Sequence, residues 1–289
     1  MTLASVFLAV IIGTWNGNWF PSGRAEHRAN PEVEAATISA AGKMLARGIA
    51  QLDPEGNEDL IIAVNEVRGP RVARELAAAI GRTNLTLTSI SGYRRRDRFD
   101  QQQDAILSTL PVGKASWSLW KGKVRERPPR GYAYAELEVA PAVTSHVYSV
   151  HLKSNYGANT PEKKANVRQL RSESAAQLAE IEKPRRGHKT APALVLGDFN
   201  ADKWDEQFAE ETVFTTLEGV GFKNALELLP PESRGTHPHK RYGNGVLDYI
   251  LYRGFEPVGQ PFIVADDGLS DHLAVFVRLR PVAAKKDRE

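Results

Sequence analysis

The 289-residue chain has no cysteine. That absence excludes disulfides, iron–sulfur clusters and cysteine-ligated zinc, so any bound metal must be held by oxygen or imidazole, a donor set that favours hard ions such as magnesium. Long apolar runs are also scarce. Residues 5–12 form one, but it is too short to cross a bilayer, has no basic stretch before it and is followed by no evident cleavage site. It reads as a buried first strand. The compartment stays undetermined: the composition is that of a soluble protein, and secretion or periplasmic export is left open if a signal upstream has been trimmed. No Pro/Gly/Ser-rich linker, repeat or low-complexity tract divides the chain, so a single catalytic domain over 1–289 is expected. A strong charge imbalance is missing too. The 38 basic and 35 acidic residues leave a net charge of +3, too mild an excess to identify a polyanionic partner by itself.

What is present is an ordinary globular composition, 42% hydrophobic and 25% charged, ample for a full core. Apolar and β-branched residues recur in short runs at 5–13, 60–64, 85–90, 105–108, 132–139, 146–151, 193–196, 247–252 and 273–279, which predict strands. In one of them Ala133, Ala135, Leu137 and Val139 share a face while Glu136 and Glu138 point away, the pattern of a half-buried strand. Asn30-Pro31 and Thr160-Pro161 each combine an N-cap with a proline at the first helical position. Behind them Ile38, Ala41, Leu45, Ile49 and Leu52, and Val167, Leu170, Ser174, Leu178 and Ile181, fall at helical spacing, and Pro184 stops the second helix. A weaker helix covers 71–80. Many strands with a few intervening helices predict a layered α/β (α+β) sandwich with mixed or antiparallel sheets rather than a doubly wound parallel one.

The unusual polar residues sit where these strands end or begin. Asn16 and Asn18 follow the first, Asn65-Glu66 the second, His151 another, and Asp198 and Asn200 the run at 193–196; Asp248 and Asp271-His272 open two late strands. Such positions present side chains to a cleft on a rigid scaffold. Taken singly, each has a plain structural alternative. Glu66 suits a metal, but equally a salt bridge at a strand end. Asp198 and Asn200 suit proton acceptance and phosphate binding, but also an Asx-turn. An aspartate such as Asp248 held against His272 would fix the imidazole tautomer and raise its pKa, although a lone histidine near a chain end is commonly just surface. Basic residues gather at Arg94, Arg95, Arg96 and Arg98, at Arg125, Arg127 and Arg130, at Arg185, Arg186 and Lys189, and at Lys240 and Arg241. These clusters are either phosphate-neutralising or ordinary solvated loops. Tyr93, Trp117 and Trp120 lie near them as stacking or packing rings.

Joint order decides more than any single residue. The segments TWNGNWF at 14–20, VNEVRG at 64–69, DAILS at 104–108, SVHLKS at 149–154, LGDFNAD at 196–202, LDYIL at 247–251 and LSDHLAV at 269–275 together resemble the endonuclease/exonuclease/phosphatase superfamily, in its deoxyribonuclease I-like form. Only LGDFNAD with SDHLAV is specific alone, but all seven stand in the family's order across nearly the whole chain.

The resemblance implies a four-layered α/β sandwich, with two mixed, mostly antiparallel sheets flanked by helices, and a divalent metal, Mg2+ first, with Mn2+ and Ca2+ compatible. By the same resemblance Glu66, Asn16 and Asp271 form the metal region. Asp198 orients or deprotonates the attacking water, Asn200 binds the scissile phosphate, His272 held by Asp248 contacts it, and His151 assists the phosphate or the leaving oxygen. Asn18, Lys153, Asn155 and Arg94 are assigned to substrate contact. Asn18 departs from the family where many relatives have an acid. The acidic partner of the first histidine is also replaced by amides, since Gln101, Gln102 and Gln103 stand near the matching strand. The expected activity is phosphodiester hydrolysis, first of DNA by an endonuclease of little sequence preference. A phosphodiesterase or phosphatase for a small-molecule or lipid-headgroup ester is the alternative, and a non-catalytic binding protein of the same fold is a remote one. No membrane span and no protein partner are implied.

Overall fold

A computed structural model describes residues 8–21, 31–95, 98–99, 102–122, 127–183, 191–239, 243–265 and 268–282. The expectations for 5–7, Asn30, Arg96, Gln101, Arg125, Pro184, Arg185, Arg186, Lys189, Lys240 and Arg241, and for the side chains of Arg95 and Arg98, lie outside the described residues.

In chain order the elements are β1 (Val10–Phe20), α1 (Pro31–Leu52), β2 (Asp59–Val67), α2 (Pro70–Ile80), β3 (Thr86–Ile90), β4 (Arg94–Arg95), β5 (Arg98–Phe99), β6 (Gln103–Ser108), β7 (Val112–Leu119), β8 (Gly131–Ala140), β9 (Val143–His151), α3 (Pro161–Glu182), β10 (Ala193–Asp198), α4 (Val213–Glu218), β11 (Lys223–Asn224), β12 (His237–His239), β13 (Gly243–Gly245), β14 (Asp248–Arg253), β15 (Phe255–Pro257), β16 (Phe262–Val264) and β17 (Ala274–Pro281). They build two mixed sheets faced by helices. One sheet runs β15-β17-β1-β2-β6-β3 with β16 on β17, and the other runs β11-β14-β10-β9-β8-β7.

Period-two alternation sorts the strand residues between layers. Val10 and Ile12 of β1 point into the core between the sheets with Ile61, Ala63, Ile106, Val147 and Val150. Their neighbours Ile11, Leu60, Ile62 and Val64 point the other way, under Ile38, Leu45 and Ile49 of α1 and Leu76 and Ile80 of α2. Helix α2 starts on a proline and ends on Gly81 in the left-handed region, φ 76°; both are intrinsic punctuation. Thr160 caps α3 by accepting a hydrogen bond from Lys163 N, and its buried Ala175 and Leu178 join the core of the second sheet with Val213, Phe214 and Leu217 of α4.

Each sheet has a parallel pair at its centre, β1 with β2 and β9 with β10, while every other neighbour is antiparallel. Side chains at the carboxyl ends of both pairs therefore meet at one edge of the sandwich, where open α/β sheets bind ligands.

Two local expectations need correction. Residues 14–18 do not end the first strand, because β1 continues to Phe20, with a register slip between Asn16 and Phe20. The slip is made by Asn18 and Trp19 at φ 47° and 61°, and Phe20 returns to the ladder with its ring edge-on to Trp15 at 5.2 Å. Strand β7 gives no apolar alternation in the sequence because seven of its eight residues are exposed; its pairing with β8 alone makes it a strand.

Candidate active site

The carboxyl ends of β1 and β2 bring Asn16 opposite Asn65, next to Glu66, and those of β9 and β10 bring His151 opposite Asp198, which also pairs with Asp248 of β14. Gly197 makes this approach possible. Its φ is 137°, and a Cβ there would stand 2.0 Å from the Val150 carbonyl oxygen and 2.8 Å from Asn65 Oδ1, so no larger residue fits the native backbone.

Asp198 is the hub. Its Oδ2 accepts from Asn16 Nδ2 at 2.9 Å and from Asn200 Nδ2 at 3.0 Å, and its Oδ1 accepts from Asn200 N at 2.8 Å. Burial raises its pKa to about 7, against the pull of His272, whose Nε2 lies 3.9 Å away. A carboxyl held near neutrality by burial is suited to take a proton from water.

His272 has the opposite charge state. Burial alone would lower its pKa, but the carboxylates of Asp248 and then Asp198 outweigh it and lift the value to about 10. Asp248 Oδ2 sits 2.8 Å from Nδ1, leaving Nε2 to face the groove. The loop before β17 is pinned in turn: Ser270 Oγ donates to Asn16 O at 2.7 Å and accepts from His272 N at 3.0 Å.

His151 is different again. Burial first, then Arg130, His272 and Lys153, push its pKa well below the usual value, so it is neutral. Its Nε2 lies 3.5 Å from Asp198 Oδ2 and 3.7 Å from Glu66 Oε1, while its buried Nδ1 has no partner among the described residues. The two described glutamines turn elsewhere. Gln103 accepts from Ser91 and Tyr93, and Gln102 accepts from Arg130.

Glu66 is held in the left-handed region at φ 58° and accepts from Trp19 N through Oε2 at 3.0 Å. No described residue donates a hydrogen bond to Oε1, and the nearby His151 is neutral. A buried carboxylate without a cation is costly. The Asn16 amide oxygen, which accepts from Asn18 N at 2.9 Å, and the exposed Asp271 carboxylate are, like Glu66, oxygen donors of the kind a hard divalent ion prefers, so the donor chemistry of the three suits such an ion. Among the described residues, however, the His, Asp and Glu side chains whose ligating atoms gather in threes within 4.8 Å are Asp198 with Asp248 and His272, and His237 with Asp271 and His272. Neither contains Glu66.

These side chains head a groove of about 1540 Å³, whose other lining residues include Asn18, Arg94, Arg127, Arg130, Lys153, Asn155 and Tyr156. Arg130 donates only to neutral acceptors among the described residues, the carbonyls of His151 (3.1 Å) and Leu152 (3.0 Å) and Gln102 Oε1. Lys153 Nζ likewise donates to a carbonyl, that of Ser154, and burial with the neighbouring Arg130 and Arg171 lowers its pKa. Two cations with no carboxylate partner among the described residues leave positive potential on this wall. Asn155 accepts from Arg171 at 2.9 Å. Both amide hydrogens of Asn200 are engaged by Asp198 and the Leu152 carbonyl, so it can reach a phosphate only by exchanging one of them. Tyr93 and Trp120 are core residues, whereas Trp117 is 42% exposed on the groove rim.

Behind the hub stands a polar network that the sequence left without a role. Asn65 Oδ1 accepts from Asp198 N at 3.1 Å, and Asn65 Nδ2 donates to Asp104 Oδ1 at 2.8 Å and to Ser149 Oγ. Asp104 also accepts from the Tyr93 hydroxyl at 3.0 Å, and burial raises its pKa to about 7. A polar Asn65 inside a buried strand was the available signal. His237, whose ring centroid lies 4.7 Å from that of His272, had none, because it comes from a short loop strand with no periodicity.

The family model described as Endonuclease/Exonuclease/phosphatase family matches residues 13–272. The chain belongs to this family. Its members hydrolyse phosphoester bonds and are generally metal-dependent, and both sheets carry the family fold. Similar solved structures include an endonuclease/exonuclease/phosphatase from Beutenbergia cavernae (TM-score 0.63, 17% identity, 96% of this chain and 72% of that one). A sphingomyelinase C from Streptomyces griseocarneus (0.56, 17%, 93% and 99%) and a humanized D. rerio TDP2 (0.59, 13%, 94% and 99%) are also similar. At these identities they share the fold alone. No curated protein sequence matches the chain. Among the described residues no helix is long and apolar enough to cross a membrane.

Proposed function

We propose that the chain is a DNA endonuclease of little sequence preference, hydrolysing phosphodiesters by in-line attack of water. The observation that carries this reading is the juxtaposition of the Asp198–His272–Asp248 cluster with the Arg130 and Lys153 cations at one open groove. A hydrolytic centre beside a wall of positive potential suits a polyanion that extends past the bond being cut.

Asp198 accepts the proton of the attacking water, with its second oxygen steadied by Asn16. The water oxygen bonds to phosphorus opposite the departing oxygen, the phosphorus–oxygen bond breaks, and the departing oxyanion takes a proton from solvent. The imidazolium of His272 faces the charge that grows on the pentacoordinate phosphorus, and Asp248 keeps it cationic. Neutral His151 assists the departing oxygen or the phosphate by hydrogen bonding. Glu66, Asn16 and Asp271 would hold Mg2+, which supplies neutralisation of the non-bridging oxygens when bound. Lys153, Arg94, Asn18 and Asn155 contact flanking phosphates and sugars.

Incubation of purified protein with supercoiled plasmid and magnesium is expected to give nicked circles, and chelator is expected to stop it. Absence of chelator-sensitive nicking across pH and metals would overturn the nuclease reading. Hydrolysis in a parallel panel of bis- and mono-aryl phosphates, sphingomyelin and nucleotides would then identify a different ester.

A further inference from the structure

Beside the oxygen donors at Glu66, and sharing Asp271 with them, the groove holds a second donor set that is rich in imidazole. His237 Nε2 lies 3.7 Å from Asp271 Oδ2, His272 Nε2 lies 4.0 Å from Asp271 Oδ1, and the ligating atoms of all three residues fall within 4.8 Å of one another. We infer that His237, Asp271 and His272 form a site for an imidazole-seeking divalent cation, with Zn2+ as the type, whose occupation switches the enzyme off.

The donor chemistry separates this site from the magnesium position. Two imidazoles and one carboxylate match the ligand preference of zinc and leave a fourth position for water, whereas magnesium seeks oxygen and keeps its waters. Tetrahedral coordination at zinc–ligand distances of about 2.0–2.1 Å places ligand atoms about 3.3 Å apart. The observed spacings, within 4.8 Å for the three atoms together, thus need to close by up to about 1.5 Å at side-chain ends. Asp271 and His237 are accessible, at 53% and 21% side-chain exposure, so an ion can enter from the groove.

Two further features favour a prepared site over a chance encounter of side chains. His272 is backed by Asp248 on Nδ1 at 2.8 Å, the carboxylate–histidine arrangement that orients a metal-binding imidazole. The strand carrying His237 is also fastened to both sides of that pair. Thr236 Oγ1 accepts from Asp248 N at 3.0 Å and from Leu247 N at 2.9 Å, and the Thr236 carbonyl accepts from Leu273 N at 2.7 Å. His237 is therefore held beside His272 by the same short segment that positions Asp248.

The consequence for activity rests on the phosphoesterase reading. A cation on His272 Nε2 releases the proton that makes this ring cationic, removes the group that faces the phosphate and occupies Asp271, so excess magnesium at Glu66 does not restore turnover. Binding itself can be read without activity. Metal-free full-length protein titrated with Co2+ is expected to develop the visible absorption of a low-coordinate nitrogen/oxygen site, at one equivalent and displaced by Zn2+. H237Q and H237N are expected to weaken that binding by about 10- to 100-fold or more. In magnesium-supported plasmid nicking, H237Q is expected to keep the parent rate and to need at least about tenfold more Zn2+ for half-inhibition. An unchanged cobalt spectrum, or unchanged zinc sensitivity, in both folded variants would overturn the proposal. Loss of the cobalt spectrum in H237Q from a chain that cleaves no phosphoester would keep the site and discard the phosphoesterase reading instead.

Discussion

At the scale of single residues, the two histidines show how burial and neighbouring charges set opposite charges on the same ring. His272 faces Asp248 at 2.8 Å and Asp198 at 3.9 Å and is cationic, whereas His151 is buried near Arg130 and Lys153 and is neutral. His272→Ala removes the cation facing the phosphate. It is expected to lower kcat/KM by about 10²–10³-fold, the cost of an electrostatic donor in a preorganised site, while circular dichroism stays native; near-parent turnover would remove the ring from the mechanism. The same pair gives a pH signature in stability. The folded pKa of His272, about 10, lies above the unfolded value of about 6.5. Its contribution is therefore fully present below about pH 6.5 and is lost as pH rises toward 10. In metal-free protein, Asp248→Asn is expected to remove most of that decline, measured as Tm against pH from 6 to 10 relative to the parent. Parallel curves for the two proteins would count against the coupling.

At the scale of elements, the site depends on how closely β10 passes β9 and β2. Gly197 lets the Val150 carbonyl and the Asn65 amide approach where a side chain would stand, and Asn65 then hydrogen-bonds the backbone of Asp198. Gly197→Ala is expected to destabilise by about 1–3 kcal/mol from backbone strain alone, with more from the forced separation of strands. Because it shifts Asp198 itself, activity in the folded fraction is expected to fall about 10²-fold. Thermal denaturation combined with rates normalised to native protein separates the two effects. Stability loss without rate loss would show that β10 moves as a unit and keeps Asp198 in place.

At the scale of the whole molecule, two sheets from distant parts of the chain each contribute half a site. Asn16 and Glu66 come from the first, His151, Asp198 and Asp248 from the second, and the loop before β17 of the first sheet, tied to the Asn16 carbonyl by the Ser270 hydroxyl, brings His272 to Asp248 of the second. An ion bound at Glu66, Asn16 and Asp271 would bridge β1, β2 and the loop before β17, so saturating Mg2+ is expected to raise Tm. The gain at 100 times Kd is about 2.7 kcal/mol, and Glu66→Gln is expected to abolish it. An equal magnesium shift in that variant would place the ion elsewhere.

The sequence by itself determined the layers and the family. The patterning of β8 followed Ala133, Ala135, Leu137 and Val139 as read, the prolines at 31 and 161 opened the two long helices, and ordered motifs identified the family, because period, punctuation and side-chain type are local properties. The approach of Asp248 to His272 was anticipated from the family resemblance, and the chemistry of the pair agrees with it. What only the tertiary structure decided is whatever depends on two distant segments at once. Asn65 reaches Asp198 across the sandwich, Gln102 and Gln103 turn to Arg130, Ser91 and Tyr93 rather than to His151, and His237 arrives beside His272 on a two-stranded ribbon. Charge state belongs to the same class, since burial and a facing carboxylate are products of packing. The two histidines carry identical side chains and differ only in what the fold sets against them.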